Sequence, residues 1–268
     1  VKNRSQVFGY YDHNMLVMSE RISDHLPKTE KYSPKQRLWY IRAKEVIISS
    51  GSIERPLVFG NNDTPGVMLS SAAKEYLKIY GVLVGKKPLV FTNNDSGYET
   101  AIEFKKNGVD PIVLDTRKDP NSEIIKEAKD LNINIKSSYV VVAAKGYKKV
   151  KSADIAKISD NKKNLSNIEN IQCDCICVSG FWTPTIHLAS QSGNKTKFND
   201  EIDAFIPSQS KQKETTLGSA NGIFTLEETL KTSFEKGSEL SKKITNKENK
   251  VSIPTVVEKK SSNHDKFW

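Results

Sequence analysis

The sequence predicts an α/β fold built on parallel strands, and three observations predict it. An apolar run, Val46-Ile47-Ile48, stops on the small residues Ser49-Ser50-Gly51. A strand–turn–helix–strand unit occupies residues 88–115 and ends on an acid, Asp115, about 20 residues beyond the turn. Two further stretches carry small side chains where a strand should end, Ser179-Gly180 and Gly218-Ser219-Ala220-Asn221-Gly222. A buried strand that ends on such residues leaves room for a ligand across its carboxyl end, where open α/β sheets bind them.

Taken in order, residues 7–12 and 15–18 flank Asp12-His13-Asn14 and predict a hairpin. Residues 20–37, with Pro27, Pro34 and many charges, read as a loop or insertion, and 37–43 alternate apolar and charged side chains toward the buried strand at Val46. Pro56 and Pro65-Gly66 mark turns. Apolar residues at Leu69, Ala72, Ala73, Tyr76, Leu77 and Tyr80 recur at helical spacing, and Gly81 is a stop signal. Next come a strand at 88–91, the turn 92–97, a helix at 98–107, a strand at 111–114, a helix at 122–131 and a strand near 133–135. Residues 139–144 are apolar, whereas 145–170 are polar and lysine-rich and read as a surface hairpin. Residues 173–178 predict a buried strand, 188–193 a short helix, 198–201 and 204–207 a strand pair. The turn 218–222 is expected to open a helix running from Thr225 to about Leu240, which would aim its free N–H groups at an anion. Beyond Gly237 the chain turns Lys/Glu/Ser/Asn-rich and reads as a linker.

The bulk numbers narrow the function. At 268 residues and 37% hydrophobic, the chain suits one large or two ordinary domains, with no apolar run of membrane-spanning length and no visible signal peptide. It opens at Val1 and closes on Asn-His-Asp-Lys-Phe-Trp, and both ends read as cuts in a longer polypeptide. Of 41 basic residues behind the net charge of +9, only six are Arg, the residue that grips phosphates and guanine edges in a fork. The Lys excess is spread along the chain and reads as a solvated surface rather than a nucleic-acid footprint. Cys173, Cys175 and Cys177 would share one face of a strand as buried thiols of a reducing cytoplasm. Their spacing is that of neither a zinc knuckle nor a redox dithiol. His13 and His25 stand alone in polar turns, and no His/Asp/Ser constellation suggests hydrolysis.

Ser49-Ser50-Gly51 resembles the Ala-Thr-Gly strand of the two-dinucleotide-fold flavoprotein oxidoreductases. Glu54-Arg55-Pro56-Leu57-Val58-Phe59, Asn61-Asn62-Asp63, Pro65-Gly66-Val67-Met68 and Phe91-Thr92-Asn93-Asn94-Asp95-Ser96 together resemble the alpha subunit of heterotetrameric sarcosine oxidase, from about Val7 to about Gly237. Ser179-Gly180-Phe181-Trp182-Thr183-Pro184 is similar to that family's Ser-Gly-Gly-Trp-x-Pro turn, with Phe181 replacing a glycine. The resemblance implies two interleaved Rossmann-like dinucleotide-binding domains, truncated before the first phosphate loop. Residues 1–80 would be the remainder of the first domain with a small β-layer, 81–180 an inserted second domain, 181–237 a return to the first, and 238–268 a linker to a missing module.

It also implies a bound NAD, with FAD and FMN elsewhere in the complex, and partner subunits that include the flavin site where sarcosine is oxidised. Sarcosine and tetrahydrofolate would bind outside this segment. Candidate NAD contacts are Val7, Ser50, Gly51, Gly218, Ala220, Gly222 and Thr225, and no catalytic residue carries over. A cytoplasmic location, no metal, no nucleic acid and no membrane go with this reading. A rival is a stand-alone NAD(P)H-dependent FAD reductase of the opine or nitrite reductase type, which needs two intact nucleotide sites or a redox dithiol. Laid on Gly-x-Gly-x-x-Gly, the turn 92–97 keeps only its third glycine, Gly97. Asn94 is expected to put its side chain where phosphates must lie, with Asn residues closing the turn in left-handed geometry. Asp115 then becomes a relic or a surface acid, and this inner unit a scaffold without nucleotide.

Overall fold

The computed structural model describes residues 1–159, 164–247, 252–258, 261 and 264–266. The chain forms two compact units, Val1–Ile53 with Thr183–Glu258, and Glu54–Trp182 with Lys259–Trp268.

The second of these holds the predicted βαβ repeat. Strands Val67–Leu69, Cys175–Ser179, Pro88–Thr92, Ile112–Asp115 and Asn134–Ser137 lie side by side in that order in one parallel sheet. Helices Ser70–Tyr80, Ser96–Lys106 and Glu123–Asp130 connect them. Alternation along the strands splits their side chains between two cores. Val90, Val113, Cys175 and Cys177 meet the helices through Ala73, Leu77, Tyr98, Ala101 and Ile125. Leu89, Phe91, Leu114, Ile176 and Val178 meet Val140, Val141, Ala153 and Ile155. Each such aliphatic or aromatic side chain taken out of water contributes about 1.5–3 kcal/mol.

Four expectations change here. The lysine-rich stretch 145–170 is not all surface: Ser152–Lys157 is the middle strand of an antiparallel sheet, between Tyr139–Lys145 and Glu169–Gln172, with Ala153, Ile155 and Ala156 buried. Its short apolar pattern is hidden by flanking lysines; residues 160–163 of the stretch lie outside the described residues. The three cysteines do not share a face. Asp174 forms a bend and accepts the Lys86 and Lys87 amides at 2.8 Å each, so alternation restarts at Cys175. Cys173 packs in the core with Phe91, and Cys175 and Cys177 in the core beneath the helices. The helix Ser70–Tyr80 belongs with this unit, not with residues before 81, because Thr100 Oγ1 donates to Ser70 O at 3.0 Å and Ala73 and Leu77 share a core with Ala101. Finally, Asp115 is fully buried rather than a surface acid.

In the other unit, Ser5–Tyr11, Met15–Arg21 and Gln36–Arg42 form a three-stranded antiparallel sheet, with His13 and Asn14 both at positive φ in the first turn. Lys195–Asn199 and Ala204–Gln209 form the predicted hairpin. Val46–Ile48 runs parallel to Glu214–Thr216. Val46 and Ile48 pack on Tyr10 and Ala189, but Ile47 is 47% exposed, so the strand expected to be buried is buried on one face only. The helix Leu226–Thr245 runs straight through Gly237, where the linker was expected to begin. Its glycine faces open space and needs no special backbone, so helical continuity outweighs its intrinsic penalty. Residues 248–251, 259–260, 262–263 and 267–268 of the expected linker lie outside the described residues.

Candidate dinucleotide-binding site

Two parallel strands bring the first and third small-residue turns together. Val46 pairs with Glu214, Ile47 with Thr215 and Ile48 with Thr216, and Leu217 N donates to Ile48 O at 2.9 Å. Immediately beyond lie Ser50-Gly51 on one strand and Gly218–Asn221, a single 3-10 turn, on the other. Gly51 has φ +76° and Gly218 φ +65°, backbone states that glycine adopts without strain. A Cβ on Gly51 would meet only Ser219 Oγ, at 4.0 Å, so the space before this backbone is open. Ser50 Oγ donates to Thr185 O at 2.7 Å and Thr185 N to Gly51 O at 2.9 Å, which fixes the turn from behind. Glu214 anchors the partner strand: it is buried, accepts from Ser192 Oγ at 2.9 Å and from Asn194 Nδ2, and burial pushes its carboxyl above the usual range despite these bonds.

The other candidates sit differently. Ala220 is fully buried within the 3-10 turn. Gly222 caps that turn at φ +80°, but a Cβ there would lie 3.1 Å from both Ile202 Cδ1 and Ile206 Cγ2, so it faces its own hairpin. The turn does not open the long helix directly. Residues 223–225 intervene, and the helix amides of Leu226 and Glu227 donate to the Glu258 carboxylate at 2.9 and 3.4 Å. Its amino end is therefore satisfied by an internal acid rather than left for an anion. Thr225 stands at the N-cap without a side-chain capping bond, and Val7 pairs with Met18 in the antiparallel sheet. Among the described residues, no hydrogen bond joins either of them to Ser50-Gly51 or to Gly218–Asn221.

The turn 92–97 of the parallel-sheet unit is closed by side chains. Thr92 Oγ1 donates to Asn94 O at 2.8 Å, and Asn94 Nδ2 donates to Ser179 O at 3.0 Å and to Asn93 Oδ1 at 2.9 Å. Asn94 Oδ1 accepts the Ser96 amide at 2.8 Å, and Asn94 is 2% exposed. Contrary to expectation, its amide folds back onto the sheet instead of projecting outward, because an amide at this depth must find partners inside. No residue of the turn is left-handed either. A Cβ on Gly97 would come within 2.6 Å of Thr92 Cβ, which accounts for the one glycine kept. Asp115, in the ribose-ligand position of the motif, is held by Arg117 Nη2 at 2.8 Å and Arg117 Nε at 3.0 Å and accepts Tyr98 OH at 2.8 Å. Arg117 Nη1 also reaches Asp95 at 2.8 Å.

No protein-family model matches the chain. The sarcosine oxidase subunit alpha of Rhizobium meliloti (strain 1021) is 34% identical over 219 residues, 81% of this chain and 21% of that subunit. That of Corynebacterium sp. (strain U-96) is 32% identical over 222 residues, 82% of this chain and 23% of the subunit. The chain matches a segment of sarcosine oxidase alpha subunits. It spans between 21% and 24% of the length of those alpha subunits. Thioredoxin reductase from Lactococcus lactis aligns at a TM-score of 0.56 and 16% identity over 82% of this chain and 67% of that one. Such an identity shows the fold alone, the FAD/NAD(P)-binding oxidoreductase fold expected from the sequence.

The three cysteines of this chain are all buried thiols. Burial pushes the Cys173 thiol up to about 12, and hydrogen bonding to Cys175 together with burial holds Cys177 well above the usual thiol range. Thiols so protonated are poor nucleophiles at neutral pH. Among the described residues no group of three His, Cys, Asp or Glu side chains could hold a metal, and no helix is long and apolar enough to cross a membrane. Sequence reasoning missed Arg117, although a rare Arg two residues after the strand-end acid was a usable signal. It also missed Glu54, buried with its Oε2 accepting the Ser71 amide at 2.7 Å. A cavity of about 580 Å³ lined by Asn14, Lys44, Lys211 and Lys213 touches none of the predicted site residues.

Proposed function

We propose that this chain is the nicotinamide-dinucleotide-holding segment of an oxidoreductase alpha subunit, with NAD lying over Ser50-Gly51 and Gly218–Asn221. The observation that carries it is the pair of adjacent parallel strand ends with glycine at positive φ on each, and with open space before Gly51. A pyrophosphate needs close approach to backbone, and a side chain at either glycine would stand in its way. The residues present fit such a group: the Ser219 hydroxyl lies beside Gly51 at the mouth of the open space. The bound NAD would supply a redox-active nicotinamide, and this chain's own residues bind and orient it.

The relatives' name supports a larger setting. The complete protein would be a subunit of a sarcosine-oxidising complex, with amine oxidation at a flavin on another subunit and FMN, FAD and tetrahydrofolate bound outside this segment. The parallel-sheet unit serves there as a scaffold, since its own phosphate turn is closed by Asn94 and its ribose acid is consumed by Arg117. The test is Gly51→Val in the full-length alpha subunit, with NAD released by denaturation and quantified per subunit. Bound NAD is expected to fall severalfold while sarcosine turnover changes little. NAD retained at wild-type stoichiometry refutes this placement.

A further inference from the structure

The carboxyl ends of the three central strands of the parallel sheet are crossed by the chain's own residues 264–266. Asn93, Thr116 and Phe181 follow strands Pro88–Thr92, Ile112–Asp115 and Cys175–Ser179. Asp265 N donates to Asn93 O at 2.8 Å, and Asn93 Nδ2 donates back to Asp265 O at 2.8 Å. Thr116 Oγ1 donates to Asp265 Oδ2 at 2.9 Å. The His264 ring stacks on Phe181 with centroids 4.0 Å apart and planes 10° from parallel.

These are the interactions by which a crevice at a sheet's carboxyl edge holds a ligand: a two-way amide pairing, a hydroxyl on an anion, and a ring on a ring. Asn93 and Thr116 are 2% and 3% exposed, so the Asn93 side-chain nitrogen and the Thr116 hydroxyl are directed to this occupant rather than to water. Phe181 adds a second, independent sign. It holds φ +78°, a left-handed backbone state that is strained for a non-glycine residue, and its ring is the one that receives His264. Strain of this kind persists where surrounding contacts over-determine it.

We propose that the crevice of the 54–182 unit is a peptide receptor for the chain's own residues 264–266, which dock there in the position of a nucleotide. The stacked imidazole takes the place of a base and the Asp265 carboxylate that of an acidic group. This docking stands apart from any dinucleotide at Gly51, and failure of one leaves the other untouched. It closes that unit's crevice to free nucleotides.

The test uses amide hydrogen exchange of the full-length protein, resolved at Asp265, with wild type, Thr116→Val and Thr116→Ser. In the wild type the Asp265 amide is expected to exchange at least about tenfold more slowly than in an unstructured peptide of the same sequence. Thr116→Val, near-isosteric but unable to donate to the carboxylate, should speed that exchange by about tenfold or more while the amides of strand Pro88–Thr92 stay protected. Thr116→Ser should restore the slow rate. Exchange of the wild-type Asp265 amide at the free-peptide rate overturns the docking, as does protection that Thr116→Val leaves unchanged.

Discussion

Replacing Arg117 with Met tests the claim that the inner dinucleotide unit has turned its ribose acid into a structural one. Asp115 has no solvent exposure, and both its oxygens are engaged by the Arg117 guanidinium, at 2.8 Å from Nη2 and 3.0 Å from Nε. Met keeps much of the stem's volume but removes the charge, leaving a buried carboxylate with two neutral donors, Tyr98 OH at 2.8 Å and the backbone amide of residue 117 at 2.9 Å. Removing one partner of a buried ion pair costs about 3–5 kcal/mol, because the remaining charge is uncompensated. At about 2–4 °C per kcal/mol for a domain of 150–250 residues, Tm should fall by roughly 6–20 °C. Adding Asp115→Asn to the variant removes the stranded charge and should recover at least half of that loss, a coupling that only neighbouring groups show. Scanning calorimetry of the full-length protein reads Tm, and the fluorescence of Trp182, whose indole donates to Ser96 at 2.9 Å, follows this unit. Two results would refute the reasoning: a loss below about 2 °C for Arg117→Met, or no relief from the second substitution. Bound NAD should be unchanged by Asp115→Asn alone, since that acid is buried and engaged by Arg117 and Tyr98.

Gly222→Val and Gly51→Val should each destabilise by about 1–3 kcal/mol through φ +80° and φ +76°, Gly222→Val further through contact with Ile202 and Ile206. Gly222→Val is therefore the control for strain, and Gly51→Val should lose more NAD than its fall in Tm accounts for. Burial raises the Glu54 carboxyl above its ordinary value, opposed by the Ser71 amide. An acid held higher when folded than unfolded binds the extra proton in the folded state, so its contribution to stability is greatest at low pH and declines as pH rises from the usual Glu range through the raised value. Glu54→Gln should flatten that decline in urea titrations across this window, and parallel wild-type and variant curves would contradict it. Native Cys173, Cys175 and Cys177 should resist iodoacetamide near pH 8 and react fully in urea, and mass spectrometry of the native protein finding rapid alkylation would contradict their burial.

What the sequence determined by itself was local. Short apolar runs around a turn and helix located strands Pro88–Thr92 and Ile112–Asp115, helical spacing located Ser70–Tyr80, and glycine marked its end at Gly81, whose φ is +64°. The meeting of Gly51 with the turn at Gly218 was also legible, because small residues at strand ends form a pattern that needs no knowledge of distant partners. Tertiary structure alone decided where side chains point once an element is packed. The bend at Asp174 sends Cys173 and Cys175 into different cores, though their spacing promised one face. Asn94 turns inward because Ser179, 85 positions away, offers its amide a partner. Glu258 takes the helix amides that the sequence left for an anion. Asp265 reaches Asn93 across 172 positions, and no periodicity spans such a distance. Periodicity records which residues must leave water, whereas buried polar groups choose partners by geometry, and that geometry exists only after the chain has folded.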